Sequence, residues 1–215
     1  MEFIKFKESV SKIKNLELPG EEIQYKMAPI ERLQELKRKA LAMNSVKKAG
    51  VLALFYPDVQ ERAKLILILR KTYKGVHSAQ VGFPGGKFEK EDTSLEQTAL
   101  RETQEEIGVP KKDVTIIKQL TQMYIPPSNF IVQPFLGITQ STPNFILQET
   151  EVEALIEVGI SHFMEDSVLI SKKITTSYAT DLTVPAYLLN NHVVWGATAM
   201  MLSEIRQLLK QVLEP

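Results

Sequence analysis

Residues 85–109 read GGKFEKEDTSLEQTALRETQEEIGV, and the interpretation of the whole chain begins from this stretch. Its paired glycines leave the backbone open to close approach by a ligand. Apolar residues then recur at helical spacing, with Thr93 or Ser94 placed to cap the start and Gly108 placed to end the helix. The stretch therefore predicts a glycine turn followed by a helix over residues 94–107.

The predicted helix carries an acidic cluster beside its buried face. At 100° per residue, Ala99, Thr103 and Ile107 point towards the core. The adjacent arc holds three carboxylates: Glu102, Glu105 and Glu106. Like charges at this spacing destabilise a helix and raise one another's pKa, so a bound divalent cation would remove the repulsion between the carboxylates. Oxygen ligands suit Mg²⁺ or Mn²⁺, although three glutamates alone are more often a solvated helix face.

The charge distribution around the helix favours the metal interpretation. The 215 residues include 26 Lys+Arg and 26 Asp+Glu, which gives a net charge of zero. Residues 62–90 nevertheless hold seven basic residues and one acidic residue, and residues 91–109 hold six acidic residues and one basic residue. A basic segment followed by an acidic one predicts a site for a phosphate-bearing substrate together with its metal. The zero total gives no general argument for a nucleic acid or a membrane as partner.

Other classes of chemistry are excluded by composition. The chain has no Cys, so a thiolate nucleophile, a disulfide framework and a sulfur-ligated zinc site are all ruled out. Its first residues contain no apolar stretch typical of a signal peptide, and the longest apolar run, residues 65–69, is too short to span a bilayer. We expect a cytoplasmic protein.

Hydrophobic patterning predicts an α/β (α+β) fold. Strands are predicted at residues 50–56, 64–69, 80–83, 113–123, 130–138, 150–158, 168–175 and 182–188. Helices are predicted at residues 1–16, 29–43 and 195–212 in addition to the acidic one. This order indicates a mixed sheet sandwiched between helices. We expect residues 46–215 to form the domain, and residues 1–45 to form a helical extension that packs on the sheet or serves as a homodimer interface.

Residues 101–109, RETQEEIGV, following Gly86, resemble the Nudix box. That pattern reads Gly, five residues, Glu, seven residues, then Arg-Glu-aliphatic-x-Glu-Glu-x-Gly-aliphatic. The second half matches at its fixed positions, with Thr103 in an aliphatic slot. The first half differs, because Asp92 replaces the first Glu and eight residues separate it from Arg101. The role of Asp92 is left open.

Residues 77–86, HSAQVGFPGG, resemble the segment that marks the coenzyme A pyrophosphatases within the Nudix superfamily. That segment typically reads His-x-Gly-Gln-aliphatic-x-Phe-Pro-Gly-Gly, and Ala79 stands here in place of a glycine. An Asp at the first acidic position and the longer spacing are normal in this branch. Residues 124–130 and 194–199 are similar to later segments of the branch, so the resemblance covers about residues 45–200.

The resemblance implies metal-dependent hydrolysis of the diphosphate of coenzyme A or its acyl derivatives. The products would be 3′,5′-ADP and the (acyl-)4′-phosphopantetheine. Another dinucleotide, such as NADH or ADP-ribose, is an alternative substrate, and a non-catalytic module that binds a nucleotide or a protein is a third interpretation. The metal would be Mg²⁺ or Mn²⁺, and the resemblance assigns Glu102, Glu106 and the Gly86 carbonyl as its ligands.

The remaining site residues follow partly from the resemblance and partly from charge. Glu105 is implied as a third ligand or as the water-activating base, with Glu149 or Glu151 as other candidates for the base. Arg101 is implied to orient Glu102 or Glu105. By charge and proximity in sequence, the candidates for the substrate anion are Arg70, Lys74 and Lys87, and His77 joins them by its place in the branch motif. Tyr124 and Phe130 either stack on adenine or pack in the core, and Trp195 is interpreted as a packing residue.

Overall fold

The computed structural model describes residues 1–29, 46–71, 80–176 and 179–213. Except for Pro29, the predicted helix over residues 29–43 lies outside these ranges, as do two of the predicted anion-binding residues, Lys74 and His77. In the described parts of the chain, no helix is long and apolar enough to cross a membrane.

The described residues form five α-helices and eleven strands. The helices are α1 (Phe3–Val10), α2 (Gly20–Tyr25), α3 (Leu95–Ile107), α4 (Ile160–Met164) and α5 (Gly196–Leu213). The first strands are β1 (Lys47–Pro57), β2 (Ala63–Arg70), β3 (Val81–Gly82), β4 (Gly85–Lys87), β5 (Val114–Gln119) and β6 (Met123–Ile125). They are followed by β7 (Phe130–Thr139), β8 (Val152–Gly159), β9 (Leu169–Thr176), β10 (Ala179–Leu189) and β11 (His192–Trp195).

The main sheet is mixed, as predicted. Its strand order is β3-β2-β1-β7-β5, with β4 paired to β1, β6 to β7 and β8 to β2. The pairing of β1 with β7 is parallel and the other pairings are antiparallel. Strands β9, β10 and β11 form a separate antiparallel sheet. The α/β (α+β) class with a mixed sheet is therefore confirmed.

Strand β1 is buried on both faces because its side chains alternate between two cores. Leu52 and Leu54 pack in one core together with Ala99 of α3. Ala53 and Phe55 pack in the other core, which α1 and α5 also enter. This arrangement explains the continuous apolar run in the sequence, since a strand covered on both faces has no polar side.

The N-terminal segment belongs to the second core. Phe6 of α1 is fully buried and meets the Phe55 ring edge-on, with 4.9 Å between the ring centroids. The Phe3 N–H donates to the Glu61 carbonyl at 2.7 Å, and the Ala63 N–H donates to the Met1 carbonyl at 3.0 Å. Residues 1–29 therefore pack on the sheet, and the proposed division of the chain at residue 45 stays a prediction.

Several elements differ from the sequence predictions, and the short helices α2 and α4 were not predicted. The segment predicted as one strand at 113–123 divides into β5 and β6. The main chain leaves the ladder between them, where the Thr121 N–H donates to Glu204 at 3.2 Å. Strands β4 and β11 were not predicted, because three or four residues are too few to show a period of two. Helix α5 starts at Gly196, one residue after the predicted Trp195.

Candidate active site

Helix α3 carries the acidic cluster and is held at both ends as predicted. Its N-cap is Ser94, whose hydroxyl accepts from the Gln97 N–H at 3.2 Å. Gly108 ends the helix in the left-handed region, with φ of 77°. The helix lies close on β1, because a Cβ at Gly50 would stand 2.2 Å from the Leu95 carbonyl oxygen. Glycine at position 50 thus allows the approach of helix to sheet.

The three glutamates of α3 occupy three different environments. The Glu106 side chain is 2% exposed, Glu102 is 14% exposed and Glu105 is 56% exposed. Helical spacing alone grouped them on one arc, but the sheet buries one edge of that arc and leaves the other in solvent. The carboxylates that face the interior are therefore those of Glu102 and Glu106.

Arg101 joins the acidic residues of the site. Its Nε and Nη2 donate to the two oxygens of Asp92 at 2.9 and 3.0 Å, a bidentate pair. Its Nη1 donates to Glu102 at 3.1 Å and to Glu105 at 2.9 Å. A further bond runs from Nη2 to the Lys87 carbonyl at 3.1 Å. Arg101 therefore contacts both glutamates that it was predicted to orient.

Asp92, whose role the sequence left open, holds Arg101 in place. It is nearly buried and also accepts from the Glu89 N–H at 3.0 Å and from the Thr98 hydroxyl at 2.9 Å. The hydrogen bonds from Arg101 hold the pKa of the Asp92 carboxyl well below its usual range. The signal in the sequence was Asp92 itself, an acidic residue about one turn before the helix to which no partner had been assigned.

Glu106 lies against the glycine turn. One of its oxygens accepts from the Gly85 N–H at 2.8 Å, and the other lies 3.4 Å from the Arg70 guanidinium. Burial raises the pKa of Glu106 to about 7, and the charges of Glu102 and Glu151 add to the increase. The Gly85 N–H and Arg70 act in the opposite direction but do not outweigh burial.

Glu102 lies against the second glycine of the turn. A Cβ at Gly86 would stand 2.3 Å from the Glu102 carboxyl carbon. Burial raises the pKa of Glu102, and Glu105 and Glu151 contribute while Arg101 opposes. Of the two downstream acids proposed as a base, Glu151 therefore acts electrostatically on both Glu102 and Glu106.

The donor set at the turn fits a hard divalent cation. Two poorly exposed carboxylates, both with raised pKa, adjoin the main chain at Gly85 and Gly86. A cation among these oxygens would offset their repulsion. Within the described ranges, no group of three or more His, Asp or Glu side chains has a geometry that could hold a metal as it stands. A divalent cation at this turn would need oxygens of the backbone and of water in addition to the two carboxylates.

An apolar cavity of about 390 Å³ opens beside the turn. Its lining includes Gly85, Gly86, Arg70 and Lys87, so two of the predicted anion-binding residues adjoin the acidic cluster. The aromatic residues Tyr124, Phe130 and Trp195 line the same cavity. Trp195, which the sequence interpretation treated as a packing residue, thus also lies in the wall of this cavity.

Comparisons with known proteins show which family the chain is similar to. A model of the NUDIX domain matches residues 46–158. The peroxisomal coenzyme A diphosphatase ndx-8 of Caenorhabditis elegans is 29% identical over 139 residues, covering 64% of this chain and 59% of that protein. The uncharacterized Nudix hydrolase NudL of Yersinia enterocolitica is 32% identical over 148 residues, covering 69% of this chain and 73% of that protein. The chain belongs to the Nudix hydrolase family.

Solved structures agree at the level of the fold. The Nudix hydrolase RenU of M. smegmatis aligns with a TM-score of 0.54 at 14% identity, covering 79% of this chain and 89% of that one. A MutT/nudix family protein from Enterococcus faecalis aligns with a TM-score of 0.53 at 16% identity, covering 92% and 80%. The described chain thus has a Nudix fold, and Nudix hydrolases generally use divalent cations.

Proposed function

We propose that this protein hydrolyses the diphosphate bond of coenzyme A and its derivatives, giving 3′,5′-ADP and the (acyl-)4′-phosphopantetheine. The observation that carries the proposal is the juxtaposition of Glu102 and Glu106 with the turn at Gly85–Gly86, beside a cavity that Arg70 and Lys87 also line. Similarity to a coenzyme A diphosphatase supports the choice of substrate.

In this proposal Glu102 and Glu106, with the Gly86 carbonyl, hold Mg²⁺ or Mn²⁺. At this position a divalent cation would supply neutralisation of the phosphate charge and a more acidic water. Arg101, itself held by Asp92, keeps Glu102 and Glu105 in a fixed orientation. A preorganised arrangement of this kind avoids rearrangement during the reaction.

The diphosphate is cleaved by water. One oxygen–phosphorus bond forms from water, the bridging phosphorus–oxygen bond breaks, and the water proton passes to a carboxylate. Glu105 is the proposed base or third ligand, because it is bound to Arg101 and open to solvent. Glu151 is the alternative base, because its charge acts on both buried glutamates. Comparing Glu105→Gln with Glu151→Gln over a range of pH separates the two, since loss of the base removes the acid limb of the kcat profile.

Arg70 and Lys87 are the proposed phosphate contacts. Arg70 lies 3.4 Å from Glu106. It can release this carboxylate and bind a phosphate oxygen instead, since a guanidinium binds both carboxylates and phosphates well. Lys74 and His77 belong to the same proposed set but lie outside the described residues. A cytoplasmic location, a homodimer and the absence of a nucleic-acid partner also stay predictions.

Incubation of the protein with Mg²⁺ or Mn²⁺ and a panel of coenzyme A, NADH and ADP-ribose, with products identified by mass, tests the proposal. We expect 3′,5′-ADP from coenzyme A, abolished by Glu106→Gln. The matched control is Glu96→Gln, which neutralises an acid in the first turn of the same helix and should leave turnover unchanged. Hydrolysis of NADH or ADP-ribose alone would redirect the substrate, and no hydrolysis of any would favour a binding module.

A further inference from the structure

Two arginines contact the carboxylates of the candidate site, and they are held very differently. Arg101 donates to three carboxylates at 2.9 to 3.1 Å, and its side chain is 15% exposed. Arg70 reaches Glu106 only through Nη1 at 3.4 Å, and its side chain is 29% exposed. Charge-assisted hydrogen bonds from nitrogen to oxygen are usually about 2.7–2.9 Å long, so the contact of Arg70 is a loose one. The Arg70 guanidinium is therefore the one that can leave its carboxylate.

The main chain of Arg70 is fixed, so that only its side chain can move. The Arg70 N–H donates to the Gln80 carbonyl at 3.1 Å, and the N–H of the next residue, Lys71, donates to the Glu151 carbonyl at 2.8 Å. The ladder between β2 and β8 is irregular at this point and leaves Glu153 out of the pairing. Irregularities of this kind redirect a side chain relative to a regular strand. The guanidinium can thus change its partner by rotation of side-chain bonds alone.

The two oxygens of Glu106 have unequal partners. Oε2 accepts from the Gly85 N–H at 2.8 Å, a hydrogen bond of ordinary length. Oε1 has the longer contact with Arg70. The Glu106 side chain is 2% exposed, and an ionised carboxylate in such a place is costly without a compensating positive charge. Arg70 supplies that charge at Oε1, which is also the oxygen that the glycine turn leaves open to a cation.

A guanidinium and a divalent cation would compete for this oxygen. Like charges a few ångströms apart repel strongly in a site that is shielded from water, so both cannot stay beside Glu106 at full affinity. Arg70 has another position available, because it lines the cavity together with Gly86 and Lys87. A phosphate bound in this part of the cavity would accept hydrogen bonds from the guanidinium in place of the carboxylate.

We propose that Arg70 exchanges partners: its guanidinium compensates Glu106 in the metal-free protein and is released to the substrate diphosphate when a cation binds. The inference rests on the proposed diphosphatase function and specifies how cation and substrate are coupled at that site. Cation binding frees Arg70 for the diphosphate, and a diphosphate that draws Arg70 away leaves Oε1 to the cation. Because coupling between two ligands is reciprocal, each strengthens the binding of the other.

The binding of Mn²⁺ without substrate, measured by the loss of the EPR signal of free Mn²⁺, tests the exchange. We expect Arg70→Gln to bind Mn²⁺ about 10-fold more tightly than the wild type, because the competing charge is gone and couplings of this size are typical. A pH of about 8.5 keeps Glu106 ionised, since burial raises its pKa to about 7, and the same ratio at about pH 9 excludes a difference in protonation. An unchanged affinity would show that Arg70 does not compete. A weaker affinity would show that Arg70 holds Glu106 in place for the cation. Either result overturns the inference.

Two variants control for charge and for shape. Lys71→Gln removes the neighbouring positive charge, which pairs with Glu153 at 2.7 Å and is 38% exposed. We expect it to change the Mn²⁺ affinity by less than about twofold, because solvent and salt screen an exposed pair. Arg70→Lys keeps the charge but loses the planar fork, so it should bind Mn²⁺ like the wild type while kcat/KM for the diphosphate falls. An effect of Lys71→Gln equal to that of Arg70→Gln would contradict a specific competition at Oε1.

Labelling of the wild type with phenylglyoxal, an arginine reagent, covers the case in which Arg70→Gln does not fold. We expect Arg70 to be labelled faster with saturating Mn²⁺ than with a chelator, because its guanidinium has left Glu106. Arg62 is 57% exposed and pairs with Asp58 at the other end of β2, so its labelling should be equal in both conditions. Equal labelling of Arg70 in both conditions would contradict its release.

Turnover assays separate the exchange from a simple phosphate contact. In Arg70→Gln the metal concentration for half-maximal rate should fall by about 10-fold, while kcat/KM at saturating metal also falls. A residue that only contacts phosphate would lower kcat/KM and leave the metal requirement unchanged. The Mn²⁺ binding and labelling experiments need no substrate, so they can reject the exchange while hydrolysis of coenzyme A stands. Absence of hydrolysis in a protein that shows the Mn²⁺ effects would overturn the proposed substrate and leave the release of Arg70 from Glu106 standing.

Discussion

Two glycines that both make close contacts should respond to alanine in opposite ways. Gly50 faces the backbone of α3, with the Leu95 carbonyl oxygen 2.2 Å and the Ala99 nitrogen 3.0 Å from an added Cβ. Gly86 faces only the end of the Glu102 side chain, whose carboxyl carbon would lie 2.3 Å from the Cβ. Backbone atoms of a packed helix cannot yield locally, but a carboxylate can rotate away.

In Gly86→Ala the Glu102 carboxylate has to move by roughly 1 Å to reach ordinary contact, and a displacement of about 1 Å near the reacting groups costs ~10²-fold in rate. The free energy of unfolding should change by less than about 1 kcal/mol, because alanine in a strand is intrinsically favoured over glycine by a similar amount. We expect an enzyme that is folded and nearly inactive.

In Gly50→Ala the helix itself has to shift, and overpacking of this kind costs about 3 kcal/mol. For a chain of this size that corresponds to a melting temperature lower by ~6–12 °C. Thermal unfolding and coenzyme A turnover, measured on the same preparations of both variants, give the comparison. Near wild-type turnover in Gly86→Ala, or a loss of stability equal to that of Gly50→Ala, would show that the Glu102 carboxylate is not held against this turn.

Three further changes test other parts of the site and its support. Asp92→Asn should lower the free energy of unfolding by about 3 kcal/mol at neutral pH, because it breaks a nearly buried pair with Arg101. Since the folded pKa of Asp92 is lowered, this stability is present above about pH 4 and lost as the pH falls further, so urea midpoints of the two proteins should converge in acid. Because the folded pKa of Glu106 is raised, the free energy of unfolding of the metal-free wild type should fall as the pH rises from about 4.5 to about 7. Glu106→Gln should not show this fall when both proteins are unfolded with urea in the presence of a chelator. Glu204→Ala should cost about 3 kcal/mol in chemical denaturation, because buried donors lose their acceptor; an unchanged midpoint would mean that water replaces the carboxylate.

Local patterns allowed much of the fold to be predicted. The bounds of α3 followed from Ser94 and Gly108, because capping bonds and the left-handed residue are properties of a few consecutive residues. The long strands followed from apolar runs, which in β1 result from burial on both faces. The short strand β4 had no such signal, since it is defined by pairing with β1, more than thirty residues away in the chain.

The candidate site was only partly readable in the same way. Helical spacing identified the three glutamates of α3 but could not tell which of them is buried. Packing against the sheet buries Glu106 and leaves Glu105 exposed. The contribution of Asp92 required knowing where the loop before α3 folds back. Lys74 and His77 lie outside the described residues, so their part in the site stays a prediction.

The amino-acid sequence by itself determined the residue types of the candidate site and the family: carboxylates on a helix after a glycine turn, no thiol, and a match to the Nudix hydrolases. These properties depend on residue type and on spacing within about twenty-five residues. Only the tertiary structure decided which carboxylates are desolvated, that Asp92 holds Arg101, and that an apolar cavity adjoins the turn. Burial and cavities arise when distant segments such as β6 and α5 pack together, and the pair of Asp92 with Arg101 depends on how the loop before α3 folds back. No local pattern records the result of that packing.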